Sequence, residues 1–545
     1  MTRAAALSPE KVPVPMQLVS PSDLMVMLRD GGELSVLDVR EELIFSQNHI
    51  LHARSTPLSR LELRIAQLVP RRATRIVLVD DGDELAHEAA GILSRNGYTN
   101  LFVLDGGNAG WVEAGLLLFS GVHVPSKAFG EVIEHASHTP SIDAATLKNI
   151  MAAGEDVIVI DSRPFDEFTR VSIPSAVNVP GAELVLRVPE LAKSPSTTVV
   201  VNCAGRTRSI IGAQSLINAG LPNKVVALRN GTMGWTLAGY APEHGQQNRV
   251  MPKSPSAGCL AWAKSAAQNV GRLTGVRHID LTTLRDWQTE TQNRTLYVFD
   301  VRDPREYEAG HLPGAVHAPG GQLVQATDYY VGTFNARIVL VDDLEVRAVM
   351  TASWLLQMGW SEVFVLVASG TETGWPAPQV LGLQDHADLR LDPESLADLM
   401  SRDAATIVDL SLSREYRHGH IAGAWFAIRR RFDKAASKIK WHGTVVLTSE
   451  DGTLAQLAIE EMESLTALPV RYLAGGNMAW LASGRTLTSE KPLFADEPID
   501  AWLKPYERAS GQTAAMNEYL SWEMDLVERI ARDGSCNFRP LVRAQ

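Results

Sequence analysis

Two landmarks, an apolar run ending in aspartate and a glycine-rich turn ending in tryptophan, occur together four times along this chain. The runs are Ser35-Val36-Leu37-Asp38, Val157-Ile158-Val159-Ile160-Asp161, Tyr297-Val298-Phe299-Asp300 and Ile407-Val408-Asp409, and the turns close on Trp111, Trp235, Trp375 and Trp480. The Asp-to-Trp separations are 73, 74, 75 and 71 residues. A period held this closely means one structural unit repeated four times, which rules out a single large core. The length of 545 residues agrees, since domains run to roughly 100–150 residues.

Inside each repeat the first run is followed by a helical stretch carrying an aromatic: Phe45, Phe168, Tyr307 or Tyr416. Two more β-branched runs follow, such as Val199-Val200-Val201 and Val225-Val226-Ala227-Leu228, with an apolar-periodic helix between them. Strands alternating with helices predict a parallel α/β sheet, and in such sheets the reactive loops lie beyond the carboxyl ends of the strands. The tryptophans are expected as core or turn anchors. His49, His311 and His420 share one repeat position and are expected to make structural hydrogen bonds.

Asp300-Val301-Arg302-Asp303-Pro304-Arg305-Glu306-Tyr307-Glu308-Ala309-Gly310-His311-Leu312-Pro313-Gly314-Ala315 resembles the opening motif of the rhodanese family, and the Gly-rich turn with its Trp resembles the closing motif. The resemblance spans residues 18–490. It implies four tandem rhodanese-like domains, each a five-stranded parallel sheet flanked by helices, with a catalytic loop between the fourth strand and the next helix. Their expected bounds are 14–122, 130–245, 272–380 and 388–490, with a partly helical C-terminal tail over 491–545. Segments 122–141, 242–258 and 381–392 read as connections. In the tail, 517–531 predicts an amphipathic helix with Leu520, Met524, Val527 and Ile530 on one face, expected to pack on the array rather than form a site.

One loop carries chemistry. Asn202-Cys203-Ala204-Gly205-Arg206-Thr207-Arg208-Ser209 follows a strand and opens a helix. Backbone N–H groups at such a helix start form an anion cup. The helix dipole and two nearby arginines are expected to lower the Cys203 pKa and make it a nucleophile. Cys203 is therefore the candidate nucleophile, with Ala204, Gly205, Arg206, Thr207, Arg208 and Ser209 binding the substrate. Asp161, Arg163 and Arg187 are candidate supporting residues, the first two pairing behind the loop and the third reaching the pocket. Placing the helices in register sets Asp80, Asp342 and Ser449 opposite Cys203, in loops rich in acidic residues, so the other three repeats are expected to be inactive.

A loop of this length resembles the family's sulfurtransferases, which implies transfer of sulfane sulfur from thiosulfate or a similar anionic donor to a thiol or cyanide through a Cys203 persulfide. The related phosphatases and arsenate reductases carry one residue more and place arginine where Ser209 stands. A non-enzymatic reading, a scaffold binding a protein partner on its inactive repeats, is the other alternative. No metal or organic cofactor is expected. Three cysteines cannot make a disulfide framework or a zinc site, and they point to a reducing cytoplasm. Cys259 and Cys536 are expected to be buried and structural. A net charge of −12 without basic runs argues against nucleic acid and anionic membranes. Nor is there a spanning stretch, or a signal-peptide core in residues 1–17. A homodimer is allowed for.

Overall fold

The computed structural model describes residues 17–250 and 254–542. The reading of the extreme N-terminus, and the first residues of the expected first domain, lie outside that range. Each repeat builds its own parallel sheet. In the second repeat the chain-order strands are Ser141–Ile142, Val157–Asp161, Val177–Asn178, Thr198–Asn202 and Val225–Leu228. The fourth strand is central, with Asn202 in register with Asp161 and Val201 with Ala227. Its Val199, Val200 and Val201 are fully buried, as β-branched residues covered on both faces should be. The first three sheets have five strands. The fourth has six, because Leu493–Phe494, expected in the tail, pairs with Trp425–Phe426.

The chain packs as two units, one holding the first and fourth repeats, the other the second and third with the segment from Lys504 onward. In the first unit, Arg429 of the fourth repeat donates to Glu62 of the first at 3.0 Å, both buried. In the second unit, one apolar core runs through both repeats and includes Ile211, Leu216, Met350 and Trp354. Trp354 donates to Ser215 Oγ at 2.9 Å within it.

One expected connection is a helix: Val124–Ser137 buries Phe129 and Ile133. Its Pro, Ser and Gly content reads as loop, but Pro125 sits in the first turn, where its missing N–H costs nothing. The connection over 242–258 holds no helix in its described residues up to 256, and the helix Ala257–Thr274 that follows packs between the second and third repeats. Trp111, Trp235 and Trp480 are buried, whereas Trp375 is 54% exposed. The buried ones follow two consecutive left-handed residues: Gly106 and Gly107, Asn230 and Gly231, Gly475 and Gly476. The third repeat has Gly370-Thr371 there, and a β-branched threonine resists positive φ. The three histidines behave as expected, each ring lying 2.9–3.0 Å from the carbonyl four residues before it. No helix among the described residues is long and apolar enough to cross a membrane.

Candidate active site

Cys203 leaves the carboxyl end of the fourth strand and the loop enters the helix Thr207–Ala219. The closing turn fixes the loop from outside. Thr232 and Met233 N–H groups donate to the carbonyls of Cys203 and Ala204 at 2.9 Å. A Cβ on Gly231, at φ +54°, would lie 2.3 Å from the Cys203 carbonyl, so only glycine allows this contact. The backbone registers confirm the expected alignment: Ser162, Val39, Val301 and Leu410 donate to Asn202, Val79, Val341 and Thr448, the residues just before Cys203, Asp80, Asp342 and Ser449.

The thiol is 2% exposed and donates toward Ser209 Oγ at 3.6 Å. Burial pushes its pKa up, and this outweighs Arg208 and the Ser209 hydroxyl and N–H, which favour the thiolate; Glu523 adds to the rise. The expected low pKa is thus overturned, because sequence shows the charges beside a cysteine but not its desolvation.

The loop arginines are engaged. Arg206 makes a two-pronged bond to Glu131, 2.7 Å on each side, and also meets Glu134 and Asn230. Arg208 bonds Glu167 at 2.9 and 3.1 Å and Gln322 of the third repeat at 3.0 Å. Burial disfavours the Glu167 carboxylate, but Arg208 and then Lys504 overcome this and hold its pKa well below the usual range. Asp161 is fully buried and accepts from Arg163 and Asn202. Arg187 is directed elsewhere. It pairs with Glu183 at 2.9 Å, and Glu183 accepts from Arg347 at 2.8 Å, a cluster centred on the third repeat.

The tail also reaches the loop, which the sequence did not lead us to expect. The helix Gln512–Asp533 buries Met516, Leu520, Glu523, Leu526 and Ile530, while Met524 is half exposed. Tyr519 donates to Glu523 Oε1 at 2.9 Å; Lys127, at 3.4 Å, and the loop hydroxyl of Thr207, also at 3.4 Å, share that oxygen. Glu523 Oε2 is buried without a hydrogen-bond partner among the described residues, and a Cβ on Gly205 would lie 3.3 Å from it. The signal available in sequence was the pair Glu523 and Tyr519, two polar groups on the otherwise apolar stripe.

Cys536 is pushed up to about 12 by burial, then by Asp533, and Cys259 is raised by burial and Glu190; neither favours the thiolate of a resolving residue. No cluster of His, Cys, Asp and Glu among the described residues is arranged to hold a metal.

The Rhodanese-like domain model matches residues 20–114, 143–238, 280–372 and 392–483. A thiosulfate sulfurtransferase from Pseudomonas aeruginosa of known crystal structure is 45% identical, with a TM-score of 0.91 over 96% of this chain and 100% of that one. A sulfurtransferase from Allochromatium vinosum is 31% identical over 105 residues, 19% of this chain and 95% of that protein. A putative sulfur carrier protein from Bacillus subtilis, YrkF, is 24% identical over 144 residues, 24% of this chain and 76% of that protein. With four matched repeats laid out as four parallel α/β sheets, this chain belongs to the rhodanese-like sulfurtransferase family.

Proposed function

We propose that the second repeat transfers sulfane sulfur from thiosulfate to a thiol or cyanide through a persulfide on Cys203. The carrying observation is the placement of this thiol at the strand end before a helix N-terminus, with the Ser209 hydroxyl 3.6 Å away and the charge of Arg208 favouring the thiolate. The likeness to a thiosulfate sulfurtransferase along almost the whole chain supports the choice of donor.

The Cys203 thiolate attacks the outer sulfur of thiosulfate. The Cys203–S bond forms, the S–S bond of the donor breaks, and sulfite leaves with the electron pair. Cyanide or a thiolate then attacks the terminal sulfur of the persulfide, and the Cys203 thiolate is the leaving group. Backbone N–H groups over 204–209 bind the anion and stabilise the departing charge. Arg208, with one edge on Glu167, is the counter-ion of thiolate and persulfide. Arg206, locked on Glu131, holds the loop's shape. Asp80, Asp342 and Ser449 leave the other repeats without a sulfur acceptor.

Incubation with thiosulfate should add one sulfur to Cys203 by mass spectrometry, and initial rates with cyanide should give the parallel lines of a two-displacement enzyme. An unmodified Cys203 alongside intersecting lines would reject the mechanism.

A further inference from the structure

Arg163 belongs to an Asp-x-Arg motif that recurs as Asp38 with Arg40 and Asp300 with Arg302. In all three, Nε lies 2.9 Å from the motif aspartate and Nη2 donates to that aspartate and, at 2.6 Å, to a carbonyl eight residues on: Asn48, Val171 or Gly310. These bonds fix the plane of the guanidinium, so Nη1 points the same way in each repeat. In the first repeat Nη1 donates to the Asp81 carboxylate at 2.8 and 2.9 Å and to Asn48 Oδ1 at 3.0 Å. In the third it lies 4.0 Å from Asp343 Oδ2. Asp81 and Asp343 each directly follow the residue at the Cys203 position.

In the second repeat the corresponding residues are Ala204 and Val171, and neither side chain has an acceptor. Arg163 is fully buried, and its Nη1 has no hydrogen-bond partner among the described residues. Burying a guanidinium N–H without an acceptor is unfavourable, and the carboxylate at the Asp81 and Asp343 position is absent from the one repeat that carries a cysteine; Glu167 acts on Arg163 by its charge without accepting from Nη1. Arg206 and Arg208 already face carboxylates.

We propose that Arg163 Nη1 is a substrate-binding donor that takes a sulfonate oxygen of thiosulfate, standing in the place of the carboxylate that Asp81 and Asp343 supply elsewhere. This rests on the thiosulfate reading. Because the other edge of Arg163 is held by Asp161, the site selects a tetrahedral sulfur oxoanion by one aimed hydrogen bond rather than by a mobile charge.

Val171→Asn tests this without touching the loop. Val171 has φ −159° and ψ 129°, Asn48 has φ −161° and ψ 136°, so an asparagine here can copy the first repeat and occupy Nη1. Thiosulfate should bind Cys203→Ser/Val171→Asn about ten-fold or more weaker than Cys203→Ser by calorimetry, the loss expected for one charge-assisted hydrogen bond. In the Cys203 protein, Val171→Asn should raise KM for thiosulfate with kcat retained and leave alkylation by uncharged iodoacetamide unchanged. Arg163→Lys, which keeps the charge without the fork, should show the same loss. Unchanged binding and KM in both variants, while Cys203 still gains sulfur, would overturn the role of Arg163 and leave the transferase reading intact. Failure of Cys203 to gain sulfur would sink that reading. Calorimetry on the Cys203→Ser proteins would then decide this one: binding sensitive to position 171 upholds it, and no binding overturns it.

Discussion

The second and third repeats use the same cup for opposite ends. In the third, Asp342 fills it: its carboxylate accepts from the N–H groups of Leu344 at 3.1 Å and Arg347 at 2.8 Å, and from the Arg347 side chain at 2.8 and 3.0 Å. In the second, Cys203 stands at that position and Arg208 at the position of Arg347. The surroundings correspond further. Arg347 pairs with Glu306 of its own repeat and Glu183 of its neighbour, as Arg208 pairs with Glu167 and Gln322. The loop of the third repeat therefore contains its own anion and counter-ion. Under the proposed function, exchanging one carboxylate for a thiol would turn a self-satisfied helix cap into a site for an external anion.

The strongest way to break this comparison is Cys203→Asp. It should abolish thiosulfate:cyanide transfer, by about a thousand-fold or more, as loss of a nucleophile does. It should also unfold at a higher temperature than Cys203→Ala, because an aspartate there can cap the helix and meet Arg208, a gain of about 1 kcal/mol. Equal melting of the two variants would mean that the two cups are not equivalent. The matching deletion in the third repeat, Asp342→Ala, removes a buried partner of Arg347 and should destabilise the chain by about 3 kcal/mol in urea unfolding without altering sulfur transfer. A loss of activity would show that the third repeat acts on the second through the shared core.

Next in size is the split between the loop arginines. Arg208→Ala should lower kcat/KM for thiosulfate about ten- to a hundred-fold, since it removes the counter-ion of the thiolate. Arg206→Ala should act first on stability, leaving Glu131 buried without its partner. If instead Arg206→Ala lowered kcat/KM more than Arg208→Ala while melting normally, the roles assigned to them would be reversed.

The repeat, its strands and the alignment of Cys203 with Asp80, Asp342 and Ser449 were legible in the sequence because each is local: a β-branched run, a turn of fixed chemistry, a period. What the sequence hid is what distant segments bring. Glu131 and Glu134 come from a helix that reads as a linker, Gln322 from another repeat, Tyr519 and Glu523 from the tail. Cys203 looked activated because Arg206 and Arg208 are its sequence neighbours, whereas folding locks Arg206 on Glu131, makes Arg208 share its charge with Glu167, and buries the thiol, an effect that Arg208 does not offset. The uncommitted edge of Arg163 was hidden for the same reason, as its meaning rests on what Ala204 and Val171 lack.

The smallest expected effect concerns Glu523, which the tail helix brings to the loop of the second repeat. Its carboxylate lies over Gly205 and is one of the groups that raise the Cys203 pKa, after burial. With burial holding the pKa above that of an ordinary thiol, alkylation of Cys203 should quicken as pH rises, with its midpoint at higher pH than that of a free thiol. Glu523→Gln keeps an acceptor for Tyr519 and Lys127 but removes a negative charge. The thiolate is then less opposed, its pKa falls, and the alkylation profile should move to lower pH, by less than removal of Arg208 moves it the other way. The same loss of repulsion should raise kcat/KM for dianionic thiosulfate more than for a monoanionic donor such as mercaptopyruvate. A profile that stays in place, or moves to higher pH, would mean that Glu523 acts on the loop through packing and that its charge is screened from the sulfur.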